Sequence, residues 1–343
     1  MVNLEKMFTM KPLNTLLFIA LLLLNCASEK TAQQNDFPSI FDWMTQNEQV
    51  IDLTIRGNLD HLFADKHDTD HFHPAHITIK SGNMEKAIDT RISRRGVTRR
   101  KICDFPPIKI KFDKNFLESN QLADFKSYKL VTHCKTGEEE IILKEYLTYK
   151  LFNQISESSF RVKLAKVTYV DEKGNLPEGK YFGFLIESNK EIADRLNGKL
   201  LDPAKSKITS VHKEQYKKMV VFQYMIGNTD WNLSKGHNIK WIKPKDRETP
   251  IPIPYDFDYC GLVNAHYAIP HPQLPINNVR ERFLQFRGKD KSELLPVAEN
   301  ILINRAKLIQ TIDNFPHLEE TTKIDIKQFI ESFFAQVEEN KFL

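Results

Sequence analysis

The stretch from Lys213 to Asp258 constrains this chain most. Met219, Val220, Phe222, Tyr224 and Ile226 follow helical spacing and stop at Gly227, which suits a helix C-terminus. Gly227-Asn228-Thr229-Asp230-Trp231-Asn232 follows, and then His237-Asn238. Asn238 to Ile242 reads as a strand, Lys243 to Arg247 as a turn, and Ile251 to Tyr255 as the returning strand. Pro252 and Pro254 make that second strand an edge or an irregular one. Tyr255-Asp256-Phe257-Asp258 ends the unit. A carboxylate after a helix, an amide opening a hairpin and a carboxylate closing it form the order in which phosphoryl-transfer sites carry a base and two metal ligands.

Phosphoryl transfer asks for positioning more than for covalent chemistry. Asp230 is the candidate to orient an acceptor hydroxyl and take its proton. Asn238 and Asp256 are candidate Mg²⁺ ligands, with Asp258 assisting, because a hard cation prefers oxygen. The bland alternative is that these are turn residues, for which Asn and Asp are common. Such a site also needs a cation on the phosphates and a carboxylate to hold that cation. Lys129 lies in the strand-like run Tyr128 to Thr132, and Glu145 lies sixteen residues downstream. The helix expected from about Glu138 to Ile155 carries one stripe of Leu143, Leu147 and Leu151 and a second of Ile141, Tyr149 and Phe152. Glu145 falls in line with the second stripe, where a carboxylate is costly unless paired with a cation. A Lys129–Glu145 ion pair is therefore expected, with Lys135 and Lys144 as competitors.

Alternation of apolar and polar residues predicts further strands at 76–80 and 108–112, and strands are also expected at 161–170 and 181–186, joined by a polar turn. Residues 39–65 read as mixed helix and turn, and helical periodicity returns at about 300–315 and 321–339. The expected class is α+β: a strand-rich lobe over 39–187 and a helical lobe over 188–343.

The chain has 343 residues, of which 41% are apolar, enough for a large core. Its net charge of +4 is spread along the chain and argues against nucleic acid as a partner. One local run is basic: Arg91, Arg94, Arg95, Arg99, Arg100 and Lys101. It suits phosphate contact or a solvated strand edge. Lys6 and Lys11 precede an apolar run from Leu16 to Leu24, too short to span a bilayer but fitted to a signal-peptide core in residues 1–26. Leu23-Leu24-Asn25-Cys26 resembles a lipoprotein cleavage box, so Cys26 is a candidate lipid anchor to a membrane; plain secretion is the alternative. Residues 27–38 are polar and resemble a tether. Export permits a disulfide, for which Cys103 and Cys134 in strand-like segments are the candidates; three buried thiols, with Cys260, are the alternative. His67, Asp68, Asp70, His71, His73 and His76 form a second constellation, suited to Zn²⁺ or to a solvated loop.

Arg94-Arg95-Gly96-Val97-Thr98-Arg99-Arg100, the strand Ile108 to Phe112, the strand Tyr181 to Glu187 and Asp256-Phe257-Asp258 resemble the spore-coat CotH-like kinase family. The resemblance covers roughly residues 90–260. It implies a two-lobed protein-kinase-like fold and phosphorylation of Ser or Thr hydroxyls on envelope or secreted proteins, with ATP and Mg²⁺ or Mn²⁺. It further implies that Lys129, Arg95, Arg99 and Glu187 bind the nucleotide, Arg95 to Arg99 standing where kinases carry a glycine-rich loop. The chain departs from ordinary kinases in lacking His-Arg-Asp. Its eight-residue step from Asp230 to Asn238 is also longer, which makes Asn232 a rival ligand. Two other readings follow: an inactive pseudokinase lipoprotein that binds nucleotide or a partner, and a metal-dependent hydrolase built on His67–His76.

Overall fold

Alternation along the first half closes a barrel. The computed structural model describes residues 37–64, 71–96, 99–176, 179–206 and 208–342. The targeting segment, most of the tether, and His67, Asp68 and Asp70 lie outside the described residues. Helix α1 (Ile40–Thr45) starts on a capping box between Ser39 and Asp42. Strand β1 (Ile51–Gly57) follows and buries Ile51, Leu53 and Ile55 on one face. Helix α2 (Leu59–Ala64), strands β2 (His73–Ser81) and β3 (Met84–Arg94), helix α3 (Arg99–Ile102), strand β4 (Ile108–Phe112), helix α4 (Lys114–Ser119) and strand β5 (Ser127–Val131) come next. Helix α5 (Glu139–Ile155) precedes strands β6 (Val162–Asp171) and β7 (Gly179–Ile186). The barrel order is β1-β2-β3-β4-β5-β7-β6, closed by a parallel pairing of β6 with β1. Closure leaves no open sheet edge.

Residues 39–65, read as helix and turn, thus hold a barrel strand, and β3 is a further strand that periodicity did not pick out. The basic run is only partly solvated: Arg91 and Lys101 are exposed. Arg94 and Arg99 are buried, and the Arg94 guanidinium donates to the carbonyls of Phe63 and Arg100.

The barrel interior holds Leu53, Ile77, Ile92, Ile110, Tyr128, Leu130 and Val167. Strands β6 and β7 are apolar on both faces, because Leu164, Phe184 and Ile186 point outward onto α5. Helix α5 is buried nearly all round. Tyr149 packs against Phe184 on the barrel and Phe257 beyond it, and Phe152 packs against Phe222. One apolar cluster therefore runs from the barrel's outer wall into the helical half, and residues 37–342 form one compact unit. The mixed α/β class and the order of a strand-rich half before a helical half stand. The strand-rich half is a closed barrel that shares its outer core with the helices, in place of a separate lobe.

The second half opens with α6 (Asn189–Arg195) and a sheet in the order β10-β9-β8 (Gly198–Leu201, Ile239–Pro244 and Ile251–Pro254 for β8, β9 and β10). β10, with its prolines, is an edge. Helix α7 (Lys213–Met225) ends before Gly227, whose φ of +65° is the left-handed value that suits glycine. Helices α8 (Leu295–Ile303), α9 (Arg305–Asp313) and α10 (Glu320–Glu338) finish the chain. The single helix expected at 300–315 is broken because the Asn304 side chain takes the Asn300 carbonyl at 2.8 Å. Among the described residues no helix is long and apolar enough to cross a membrane.

Cys103 and Cys134 are joined, although both lie in loops and not in strands. Cys260 is free and buried, and burial pushes its thiol up to about 12, which leaves it inert. The bridge closes 31 residues. Loop-closure entropy for that length predicts a loss of about 3–4 kcal/mol for Cys134→Ser. Denaturation with and without reductant checks this: the unchanged protein should soften on reduction and the variant should not.

Candidate functional site

Asp230 is placed by the loop that follows α7. The Asn228 side chain accepts from the Asp230 N–H at 2.9 Å, and the Trp231 indole donates back to the Asn228 carbonyl at 3.2 Å. The Asp230 carboxylate is then held on both oxygens. His237 Nε2 lies 2.9 Å from Oδ1, and the Asn238 amide donates to Oδ2 at 2.9 Å and to the Asp230 carbonyl at 2.8 Å. Asn238 and Asp256 both adopt left-handed backbone, φ +53° and +67°, which Asn and Asp tolerate better than other non-glycine residues. They lie side by side, since the Tyr255 N–H donates to the Asn238 carbonyl at 3.1 Å. Asn232, the rival ligand, instead accepts from the Lys235 N–H at 2.9 Å within a turn.

Asp256 is tied to α5, where the Tyr149 hydroxyl accepts its N–H at 2.8 Å. Asp258 is buried and accepts from the Tyr267 hydroxyl at 3.1 Å. Burial, and next the Asp256 charge, push its carboxyl up to about 7, with Asp230 adding to the effect. The structure thus gathers Asp230, Asn238, Asp256 and Asp258, which are dispersed over 29 residues of loop and hairpin.

Glu145 does not meet Lys129. Its partner is Arg99, 3.7 Å away with both side chains buried, and the Arg99 guanidinium also donates to the Thr132 carbonyl. Burial opposes the charge on Arg99, yet Tyr267, Asp258, Glu145 and Asp256 hold it above the ordinary guanidinium range. Burial and then Asp258 push Glu145 well above the carboxylate range, against the pull of Arg99. Among the described residues neither Glu145 oxygen has a hydrogen-bond partner. The reason for the swap is geometric. Arg99 reaches the face of α5 that looks toward Asp256, whereas Lys129 points off the barrel wall toward α6 and Tyr255. Lys144, the competitor on α5, pairs with Glu140 at 3.0 Å.

Lys129 donates to the Asn189 side chain at 3.3 Å and lies 4.5 Å from the Tyr255 ring centroid. Burial and the cations Arg95, Lys240 and Lys109 hold its ammonium well below the lysine range, with Asp256 opposing. Lys109 sits directly across the strand pair from Lys129, a like-charge placement that disfavours the bare sheet. Lys129, Arg95 and Lys109 line a cleft of about 510 Å³ between β4, β5 and the start of α6, shared with Lys111 and Lys190. A second cleft, of about 680 Å³, opens over Asp230, His237, Tyr255 and His271.

Glu187 lines the first cleft, but its carboxylate is not free to hold a ligand. It is buried and accepts from Arg161 at 3.0 Å and from Arg195 at 2.9 Å, which turns it into a brace between β7 and α6. In the histidine-rich segment, His76 pairs with Asp89 across β2 and β3 at 2.9 Å, and His71 and His73 pack ring against ring. Among the described residues no three His, Cys, Asp or Glu side chains are grouped to hold a metal ion. The side-chain oxygens of Asn238, Asp256 and Asp258 are of the kind a hard cation takes.

Tyr149 is a site residue that motif reading overlooked, although its spacing of four from Glu145 put it on the same helix face. Tyr149→Phe leaves the half-buried Asp256 N–H without its acceptor and is expected to cost about 1 kcal/mol. Urea denaturation measures that loss.

No known protein family and no curated protein matches this chain. Among solved structures, the proinflammatory kinase CtkA of Helicobacter pylori aligns with 68% of this chain and 92% of its own, at 11% identity and a TM-score of 0.41. A superposition that loose fixes neither the fold nor the chemistry of this chain.

Proposed function

We propose that this chain is an ATP- and Mg²⁺-dependent phosphotransferase of atypical kinase type, acting on Ser or Thr hydroxyls of exported proteins. The observation that carries the reading is a cation-lined cleft beside the acidic site: Lys129 lines it with Arg95 and Lys109 and lies 4.5 Å from the ring centroid of Tyr255, the residue before Asp256, whose charge opposes the burial and the cations that depress the ammonium. A buried lysine depressed by neighbouring cations regains its charge once an anion lies among them. A polyphosphate is such an anion, and a cleft of about 510 Å³ suits a nucleotide.

In this reading Lys129 and Arg95 hold the phosphates. Asn238 and Asp256 would hold Mg²⁺, which, when bound, neutralises charge on the phosphate oxygens. Arg99 and Glu145 brace Asp256 and Asp258 from the α5 side. Asp230, at the floor of the 680 Å³ cleft, faces the acceptor hydroxyl and takes its proton. Mn²⁺ serves the same oxygen ligands. The proposed setting is the cell envelope, with Cys26 as lipid anchor or the chain secreted.

Incubation of the protein with γ-labelled ATP and Mg²⁺ or Mn²⁺ tests this. Label on the protein or on a Ser- or Thr-bearing acceptor, lost in Asp230→Ala, is expected. Nucleotide binding without transfer under either metal would reduce the chain to a nucleotide-binding scaffold.

A further inference from the structure

A cleft of about 510 Å³ opens between the last turn of α5, the first turn of α7, and α9. Asp230 follows the other end of α7, and thirteen residues rising about 1.5 Å each put about 20 Å of helix between the two places. The floor of the cleft is already hydrogen-bonded. The Ser156 hydroxyl donates to the Gln215 side-chain oxygen at 2.9 Å, and the Gln215 amide donates to the Ser158 carbonyl at 3.2 Å, with Ser156 and Gln215 both buried. The walls are cationic, since Lys218, Arg247 and Lys307 line them beside His212. Among the described residues neither Lys218 nor Lys307 has an ion-pair partner, and Asp246, outside the lining, reaches Arg247 Nε only at 3.9 Å. Of the two lining carboxylates, Glu214 pairs with Lys217 at 3.4 Å, which leaves Glu157. Three cations thus stand against one unpaired carboxylate.

His212 adds an observation that charge alone does not. Its Nδ1 accepts the Gln215 N–H at 3.3 Å as the N-cap of α7, and its Nε2 lies 2.8 Å from Arg247 Nη1. A guanidinium only donates, and a neutral imidazole accepts at one nitrogen alone. Burial, and next the Arg247 charge, hold this imidazole below the ordinary histidine range, which keeps it neutral at neutral pH. With Nδ1 engaged by the cap, Nε2 carries the hydrogen. Two N–H donors are then turned on each other with no acceptor between them, and an anionic oxygen beside the pair accepts from both. We propose that this cleft is a binding site for a phosphate dianion, free or carried as a monoester, held by Arg247 and the His212 Nε2–H with Lys218 and Lys307 neutralising its outer oxygens. A phosphate monoester carries close to two negative charges at neutral pH and presents three acceptor oxygens, which matches the excess of cations and the adjacent donors. A carboxylate brings half the charge. The cleft shares no lining residue with the Lys129 cleft, and binding in it needs no phosphate transfer.

The test follows the His212 imidazole by NMR in the full chain while inorganic phosphate is added at constant pH and constant ionic strength, since screening alone weakens such contacts. The signal is assigned by its absence from His212→Asn, which keeps a cap for α7. A saturable shift is expected with inorganic phosphate and with O-phosphoserine. Arg247→Gln should raise the midpoint of both by about tenfold, the loss of one charge-assisted hydrogen bond. Arg247 is exposed, so this variant keeps the fold. Lys129→Gln, in the other cleft, should leave the midpoint where it was. A midpoint about tenfold lower for O-phosphoserine assigns the monoester as ligand, and equal midpoints assign free phosphate. A His212 signal that moves with neither probe overturns the proposal and leaves the phosphotransfer reading standing. So does a midpoint indifferent to Arg247→Gln, or an acetate midpoint equal to that of phosphate.

Discussion

Asp256→Asn is expected to lower phosphate transfer by about a thousandfold, the order seen when a preorganised charge is removed from a reaction centre, while the fold survives. The substitution isolates charge from shape. Asparagine accepts the left-handed backbone of φ +67° as aspartate does, and the N–H held by the Tyr149 hydroxyl is untouched. What disappears is one of the carboxylates that crowd this site. Asp256 pushes up both Asp258 and Glu145, so its neutralisation relieves repulsion. The metal-free variant should therefore melt no lower than its parent at pH 8, and Mg²⁺ should no longer raise its melting temperature. A labelled-ATP assay beside thermal melts with and without Mg²⁺ checks both halves. Full transfer by the variant would end the assignment of Asp256 as metal ligand.

Arg99→Met should show the largest loss of stability. The guanidinium is the buried cation among Glu145, Asp256 and Asp258, and removing one member of a buried charge cluster costs about 3–5 kcal/mol because the others remain uncompensated. The loss should depend on pH with a definite sign. Asp258 is held up to about 7 in the fold against an ordinary 3.8, and Glu145 is raised as well. A carboxyl raised by folding binds its proton more tightly in the native state. Its favourable contribution is present in acid and is lost as pH rises from the unfolded value through the folded one. Without Arg99 both groups rise further. The gap between variant and parent should then be widest at pH 8 and narrow toward pH 5, leaving the hydrogen bond to the Thr132 carbonyl as the part that does not vary. Urea denaturation at the two pH values measures this. An equal loss at both would mean that Arg99 acts by packing and not by charge.

Much of the architecture was legible where local signals were strong. The alternation in Ile108 to Phe112, the apolar run from Tyr181 to Ile186, the buried stripes of α5 and the stop at Gly227 are each patterns of near neighbours in sequence. β1 escaped although Ile51, Leu53 and Ile55 alternate, because short helical patterns flank it on both sides. β3 escaped although Gly82-Asn83 sits between two alternating runs, because its exposed half carries few apolar residues. Glu145 was rightly singled out as a buried carboxylate in need of a cation, but its partner was misread. Arg99 lies 46 residues upstream, in the short helix α3 just before the bridged Cys103, and no local pattern links it to α5.

The order of residues alone established a helix, an acidic loop, a hairpin and a second acidic motif, since periodicity and turn chemistry act over a few positions. Which cation faces which carboxylate was decided only by the closed barrel and its shared outer core. Coulomb energy depends on distance through space and on burial, and neither can be read from separation along the chain. That is why Lys129 ended among other cations, Glu187 became a brace, and His237 came to rest on Asp230.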